Sequence, residues 1–144
     1  MKGQYRVLTE VMIFGIGIAI TSFIIVSFQT VQENVSELSL KDNLMSVSNL
    51  IATSIVKVAE SGTASINLKI PDSIAKETYL ISVDNDMVFL QLIRKPNINA
   101  SQQLFNITKN HNIIVRGNVL DSSSGYLRIS SDDGVNINVR EWGV

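Results

Sequence analysis

The chain has 144 residues, 45% of them hydrophobic and 17% charged, with no cysteine and a formal net charge of −1. That length excludes a large two-domain enzyme, and the absence of cysteine removes disulfides, thiolate catalysis and sulfur-ligated metals together. No basic block is present, so nucleic acid is not an expected partner, because phosphate binding draws on clustered Lys and Arg.

The averages conceal an asymmetry that begins at the N-terminus. From Val11 to Gln32 there is no charged residue, and Val11 to Phe28 reads VMIFGIGIAITSFIIVSF. A bilayer core of about 30 Å takes roughly 20 such residues as a helix, so the run is predicted to span a membrane. A cleaved secretory signal is the alternative, but it has an apolar region of about 7–15 residues and a small-residue cleavage site, and no Ala-x-Ala follows here. Lys2 and Arg6 precede the run and Glu33 and Glu37 follow it. The positive-inside bias therefore places the short N-terminus in the cytoplasm and the larger C-terminal part outside.

Beyond the run, Val31, Val35, Leu38, Leu44, Val47, Ile51, Ile55 and Val58 recur at steps mostly of three or four, with neither Gly nor Pro from Val31 to Glu60. That period predicts a helix with one apolar face, and Ser61-Gly62 predicts its end. Together the two stretches make one helix of roughly 50 residues, apolar all round in its first half and amphipathic in its second, about 75 Å long at 1.5 Å per residue.

After Gly62 the period changes to two. Strands are predicted at Ile66 to Ile70, Tyr79 to Val83, Met87 to Ile93, Gln103 to Ile107, Ile113 to Val119, Tyr126 to Ser130 and Val135 to Trp142. Breaks fall at Pro71-Asp72-Ser73, Asp84-Asn85-Asp86, Arg94-Lys95-Pro96-Asn97, Ser122-Ser123-Ser124-Gly125 and Asp132-Asp133-Gly134. The fold expected is α+β: a leader over 1–9, a long helix over 10–61, and a small antiparallel β-sandwich-like head over 62–144. The Leu44 to Val58 stripe is expected to supplement the small core of that head.

Few residues suggest chemistry. His111 is the only histidine and sits in a polar turn between Asn110 and Asn112, so no zinc set can be assembled. Asp84 with Asp86, and Asp132 with Asp133, lack the ligand pattern of a calcium loop and read as turn residues. There is no Gly-x-Ser-x-Gly elbow and no phosphate-cradling glycine loop. A non-enzyme without cofactor or metal is expected. Asn34-Val35-Ser36, Asn99-Ala100-Ser101 and Asn106-Ile107-Thr108 are acceptor triplets for N-glycosylation, with unmodified surface asparagines as the alternative. Glu10 stands directly before the apolar run: it stays hydrated at the interface if the helix is a lone anchor, and takes a partner such as a neighbouring chain's N-terminal amine or Arg6 if helices pack together.

The leader Lys2-Gly3-Gln4, the segment Thr9-Glu10-Val11-Met12 ahead of an apolar helix, and the long helix feeding an all-β head resemble the archaeal type IV pilin and archaellin superfamily. The resemblance covers the whole chain in architecture and only those two segments in motif. It implies a prepilin peptidase cutting between Gly3 and Gln4, and freed apolar helices bundling into a surface filament through self-association, with Glu10 serving assembly. A cut there makes Glu10 the seventh mature residue, where the family has its glutamate at the fifth. The stretch LTEVMIF also looks like the start of archaellum stator proteins, which implies instead a membrane-anchored module whose outer β domain binds an S-layer or other envelope partner.

Overall fold

The computed structural model describes residues 2–84, 87–104, 113–117 and 119–142, without the side chains of residues 2–5. One helix, α1 (Lys2–Ser61), precedes eight strands: β1 (Ala64–Lys69), β2 (Tyr79–Val83), β3 (Met87–Leu92), β4 (Asn99–Gln103), β5 (Ile114–Gly117), β6 (Leu120–Asp121), β7 (Tyr126–Ser131) and β8 (Asn136–Glu141). A short 3₁₀ turn, Ser122–Ser124, joins β6 to β7. The chain divides into two compact units, Met1–Leu38 and Ser39–Val144, with the boundary inside α1. The α+β architecture expected from the sequence is therefore the one observed.

In the second unit the strands form two four-stranded sheets, ordered β1-β7-β8-β5 and β4-β3-β2-β6. Every pairing is antiparallel except β5 with β8, which run parallel from Ile114↔Asn136 to Gly117↔Val139. Each central strand buries alternate residues, Tyr79, Ile81 and Val83 on β2, Val88, Leu90 and Leu92 on β3, Leu127 and Ile129 on β7, Ile137 and Val139 on β8. Period-two patterning places these on one face of each sheet.

The same hydrophobic cluster contains Leu40, Leu44, Val47, Ile51, Ala52, Ile55 and Val58 of α1. Steps of three and four put these side chains on one stripe of the helix, and burial of each large aliphatic one contributes about 1.5–3 kcal/mol. The second half of α1 thus belongs to the core of the head, which is why the division falls at Leu38 and not at the helix end. Ser48, also fully buried in this stripe, donates a long 3.5 Å hydrogen bond to the Val88 carbonyl of β3. The helix stops at Gly62, whose φ of +74° is the left-handed exit that glycine adopts without a steric penalty.

The strand positions depart from expectation at β4 and again around β5 and β6. The fourth strand is Asn99–Gln103, reading NASQQ, where the sequence pointed to Gln103 to Ile107. This strand lies at a sheet edge and buries only Ala100, so polar residues suffice and no apolar alternation marks it. Residues 105–107 of the expected strand lie outside the described residues. The stretch expected as one strand over Ile113 to Val119 gives β5, and the adjoining Leu120–Asp121 forms β6 in the other sheet.

Loops are fixed by side chains. The Ser122 hydroxyl, fully buried, accepts from the Tyr79 amide (3.1 Å) and donates to the Asp72 carbonyl (2.8 Å), while the Tyr79 hydroxyl donates to the Pro71 carbonyl (2.6 Å). Burial, with the nearby Asp72 carboxylate, raises the Tyr79 pKa, so the phenol keeps its proton. At the β7–β8 turn the Asp133 carboxylate accepts from the amides of Val135 (2.9 Å) and Asn136 (2.7 Å) and from the Asn136 side chain (2.6 Å). Those bonds hold its pKa down at about 2.

Two predictions follow from this packing. A Cβ built on Gly117 would lie 2.9 Å from the Cβ of Val83, where β5 of one sheet meets β2 of the other. Neither atom is the free end of a flexible side chain. Gly117→Ala is therefore expected to destabilise the head by about 1–3 kcal/mol in denaturant titration, with a smaller loss in a Val83→Ala background. Asp133, its pKa lowered in the folded state, stabilises the fold above the ordinary carboxylate pKa, and that contribution disappears as pH falls through about 2. Asp133→Ala should melt below the parent at about pH 5 and alongside it at about pH 2, followed by Trp142 fluorescence.

Candidate functional site

Three features remain once the core is accounted for: the apolar surface of the first unit, the acceptor asparagines, and the outer face of the β1-β7-β8-β5 sheet.

In the first unit the large side chains from Val11 to Phe28 are all more than half exposed, from Ile25 at 52% to Phe23 at 73%. The segment is long and apolar enough to cross a membrane. Two threonines of the unit turn their hydroxyls back onto the helix, Thr21 donating to the Gly17 carbonyl (2.8 Å) and Thr30 to the Val26 carbonyl (3.1 Å). Hydroxyls satisfied in this way do not demand water, which suits a lipid or helix-packed environment. Gly17 also leaves a notch bordered by Ile13, Phe14, Ile18, Thr21 and Ser22. Gly17 and Thr21 are four residues apart, the spacing at which small residues let two helix backbones approach. Gly15 and Gly17, two apart, do not supply that spacing. The Gly17–Thr21 pair was visible in the sequence as glycine followed four residues later by threonine.

Gly3 and Gln4 lie in the first turn of α1, and their side chains fall outside the described residues. Glu10 is paired with Arg6 of its own chain at 3.6 Å, one helical turn away, both side chains strongly exposed at 69% and 85%. An ion pair this exposed contributes little stability. Asn34 is exposed on α1, within the first unit. Asn99 is half-buried on the edge strand β4, opposite Gln91, with its side-chain amide directed at the Pro96 carbonyl (3.4 Å). Asn106 and His111 lie outside the described residues.

The outer face of the β1-β7-β8-β5 sheet was not anticipated. Strand pairing aligns Asn67, Arg128 and Arg140 in one row, and Ser65, Ser130, Asn138 and Arg116 in the next. Lys69 pairs with Tyr126 at the end of β1, its ammonium 6.0 Å from the ring centre. The Arg128 guanidinium stands 6.0 Å from the Trp142 ring centre and its Nε donates to the Ser65 hydroxyl (3.0 Å). Among the described residues, Lys69, Arg116, Arg128 and Arg140 form no ion pair. A groove of about 460 Å³ runs between Thr63, Ser65, Arg128, Ser131, Asp132 and Arg140. The four cations come from four strands and are scattered in the sequence, so only the strand order brings them together. This surface offers guanidinium and hydroxyl donors to an anion. It holds no nucleophile paired with a base, and among the described residues no three His, Asp or Glu side chains gather as metal ligands.

No family model, no curated protein and no solved structure matches the chain.

Proposed function

We propose that this chain is a structural, pilin-like subunit of an archaeal type IV pilus-like surface filament, held in the membrane by its N-terminal helix before assembly and packed against copies of itself afterwards. The observation that carries the proposal is the apolar surface of Val11 to Phe28, whose large side chains are all more than half exposed, in a unit separate from a head with a core of its own. An exposed apolar surface of that extent requires a cover, and lipid and neighbouring helices are the two covers that suit it. The Gly17–Thr21 notch favours helix against helix. Processing by a prepilin peptidase between Gly3 and Gln4 releases the helix in this scheme, and glycans on Asn34, Asn99 or Asn106 decorate the outside.

The pairing of Glu10 with Arg6 favours a second reading. A glutamate neutralised by its own chain asks for no neighbouring subunit. The chain would then be an anchored, stator-like or minor pilin-like module whose head binds an S-layer or other envelope protein.

The two readings separate on the mass of the N-terminal peptide in membrane and sheared extracellular fractions of the native cells. A start at Gln4 enriched in the sheared fraction is expected; an uncut leader confined to membranes would overturn the filament reading. A Cβ at Gly17 meets nothing within 4 Å in its own chain, so Gly17→Leu enters the notch that another helix would occupy. It should lower filament yield by about tenfold or more while leaving membrane insertion intact, scored by electron microscopy and fractionation.

A further inference from the structure

We propose that the cationic outer face of the β1-β7-β8-β5 sheet docks the acidic helix segment around Glu33 and Glu37 of a second copy of this chain. The inference rests on the filament reading and gives it a specific lateral contact.

The charges of this protein are sorted. Residues 39–144 carry ten Lys and Arg against ten Asp and Glu, so the head has no net charge, yet four of its cations share one sheet face. Most of the acids nearest in sequence are spent at turns and edges: Asp121 caps the 3₁₀ turn, Asp133 holds the β7–β8 turn, and Glu141 accepts from the Asp121 amide (2.7 Å). Asp132, at the end of the groove, forms no ion pair with the arginines beside it. Between the apolar run and the head, residues 29–38 have only two charges, Glu33 and Glu37, both exposed.

Each cluster places like charges side by side. Glu33 and Glu37 are one turn apart on α1, where like charges repel. Arg128 and Arg140 are direct cross-strand neighbours on the exposed face, where like charges also repel. Neither carboxylate forms an ion pair among the described residues. Their spacings correspond: side chains one helical turn apart have Cβ atoms about 5–6 Å apart, and cross-strand neighbours about 4.5–5.5 Å. Two carboxylates on a helix face can therefore meet two guanidiniums across adjacent strands, each guanidinium offering its planar donor fork to one carboxylate. Asn67, Ser130 and Asn138 beside them supply neutral polar neighbours to the contact.

The absence of cysteine makes the contact measurable in the full chain. Two tagged copies are co-expressed in membranes, one with Ser36→Cys next to the glutamates, the other with Asn67→Cys opposite Arg128, and oxidised. A disulfide-linked dimer is expected, its yield lower at about 1 M salt, where the Debye length is about 3 Å. Adding Arg128→Glu and Arg140→Glu to the Asn67→Cys copy should lower the yield by about tenfold or more, and adding Glu33→Arg and Glu37→Arg to the other copy should restore it. That rescue also shows that the charge-reversed head folds. A Ser22→Cys pair reports helix association separately. If Ser22 copies link and the 36–67 pair does not, this contact is overturned while the filament reading stands; if neither links, both fall. If the 36–67 pair links without any filament, the contact stands and the filament reading falls. Charge-sensitive retention of the chain on an acidic envelope polysaccharide, without the 36–67 link, overturns the contact in favour of a glycan.

Discussion

Seven aliphatic side chains on one stripe of α1, from Leu40 to Val58, sit in the same cluster as the inward faces of both sheets, and the head depends on that burial. Eight short strands, one of two residues and one almost wholly polar, enclose little apolar volume by themselves. Small domains are marginal because they bury a small share of their surface, and the helix stripe adds aliphatic volume without adding edge. The helix therefore has two different surroundings along its length: from Ser39 onward one stripe of it is part of the head's core, and before that its large apolar side chains are more than half exposed.

Much of this was legible in the residues. The change from a period near 3.6 to a period of two at Gly62 located the helix end and most strands, because a helix stripe and a half-buried strand leave different spacings. Tyr79 to Val83 coincides with β2, and the aspartate- and glycine-rich turns fall where side-chain caps and left-handed backbone are used. What escaped has a physical reason in each case. The polar edge strand β4 buries one alanine and so carries no alternation. The parallel pairing of β5 with β8 is a long-range choice that local pattern does not encode. The Ser122 hydroxyl, which ties Tyr79 to Asp72, is chemically indistinguishable in sequence from its neighbours Ser123 and Ser124.

The candidate sites divide in the same way. The apolar run announces itself, and Gly17 with Thr21 sits at a recognisable spacing within it. The cationic sheet face cannot be read from order along the chain, since Arg128 meets Asn67 and Arg140 only through strand pairing. Glu10 shows the reverse case: its position was conspicuous, and its partner, Arg6, lies one turn away on the same helix. Several polar groups are spent on structure, the Thr21 and Thr30 hydroxyls turned back on the helix and the Asp121 and Asp133 carboxylates committed to turns in the head. The cationic face stands apart as a group that meets rings and a hydroxyl of the head but, among the described residues, no carboxylate.

The strand order has a bearing on biogenesis. β8 comes last in sequence but lies in the interior of its sheet, flanked by β7 on one side and β5 on the other. Until Asn136–Glu141 has been synthesised, β5 has no neighbour in that sheet and β7 exposes the edge that β8 will fill. Closing loops over such separations is slow compared with forming a helix, so α1 forms before that sheet closes. Completion of that sheet thus waits on β8, the last strand in chain order, whereas α1 needs only its own residues to close its hydrogen bonds.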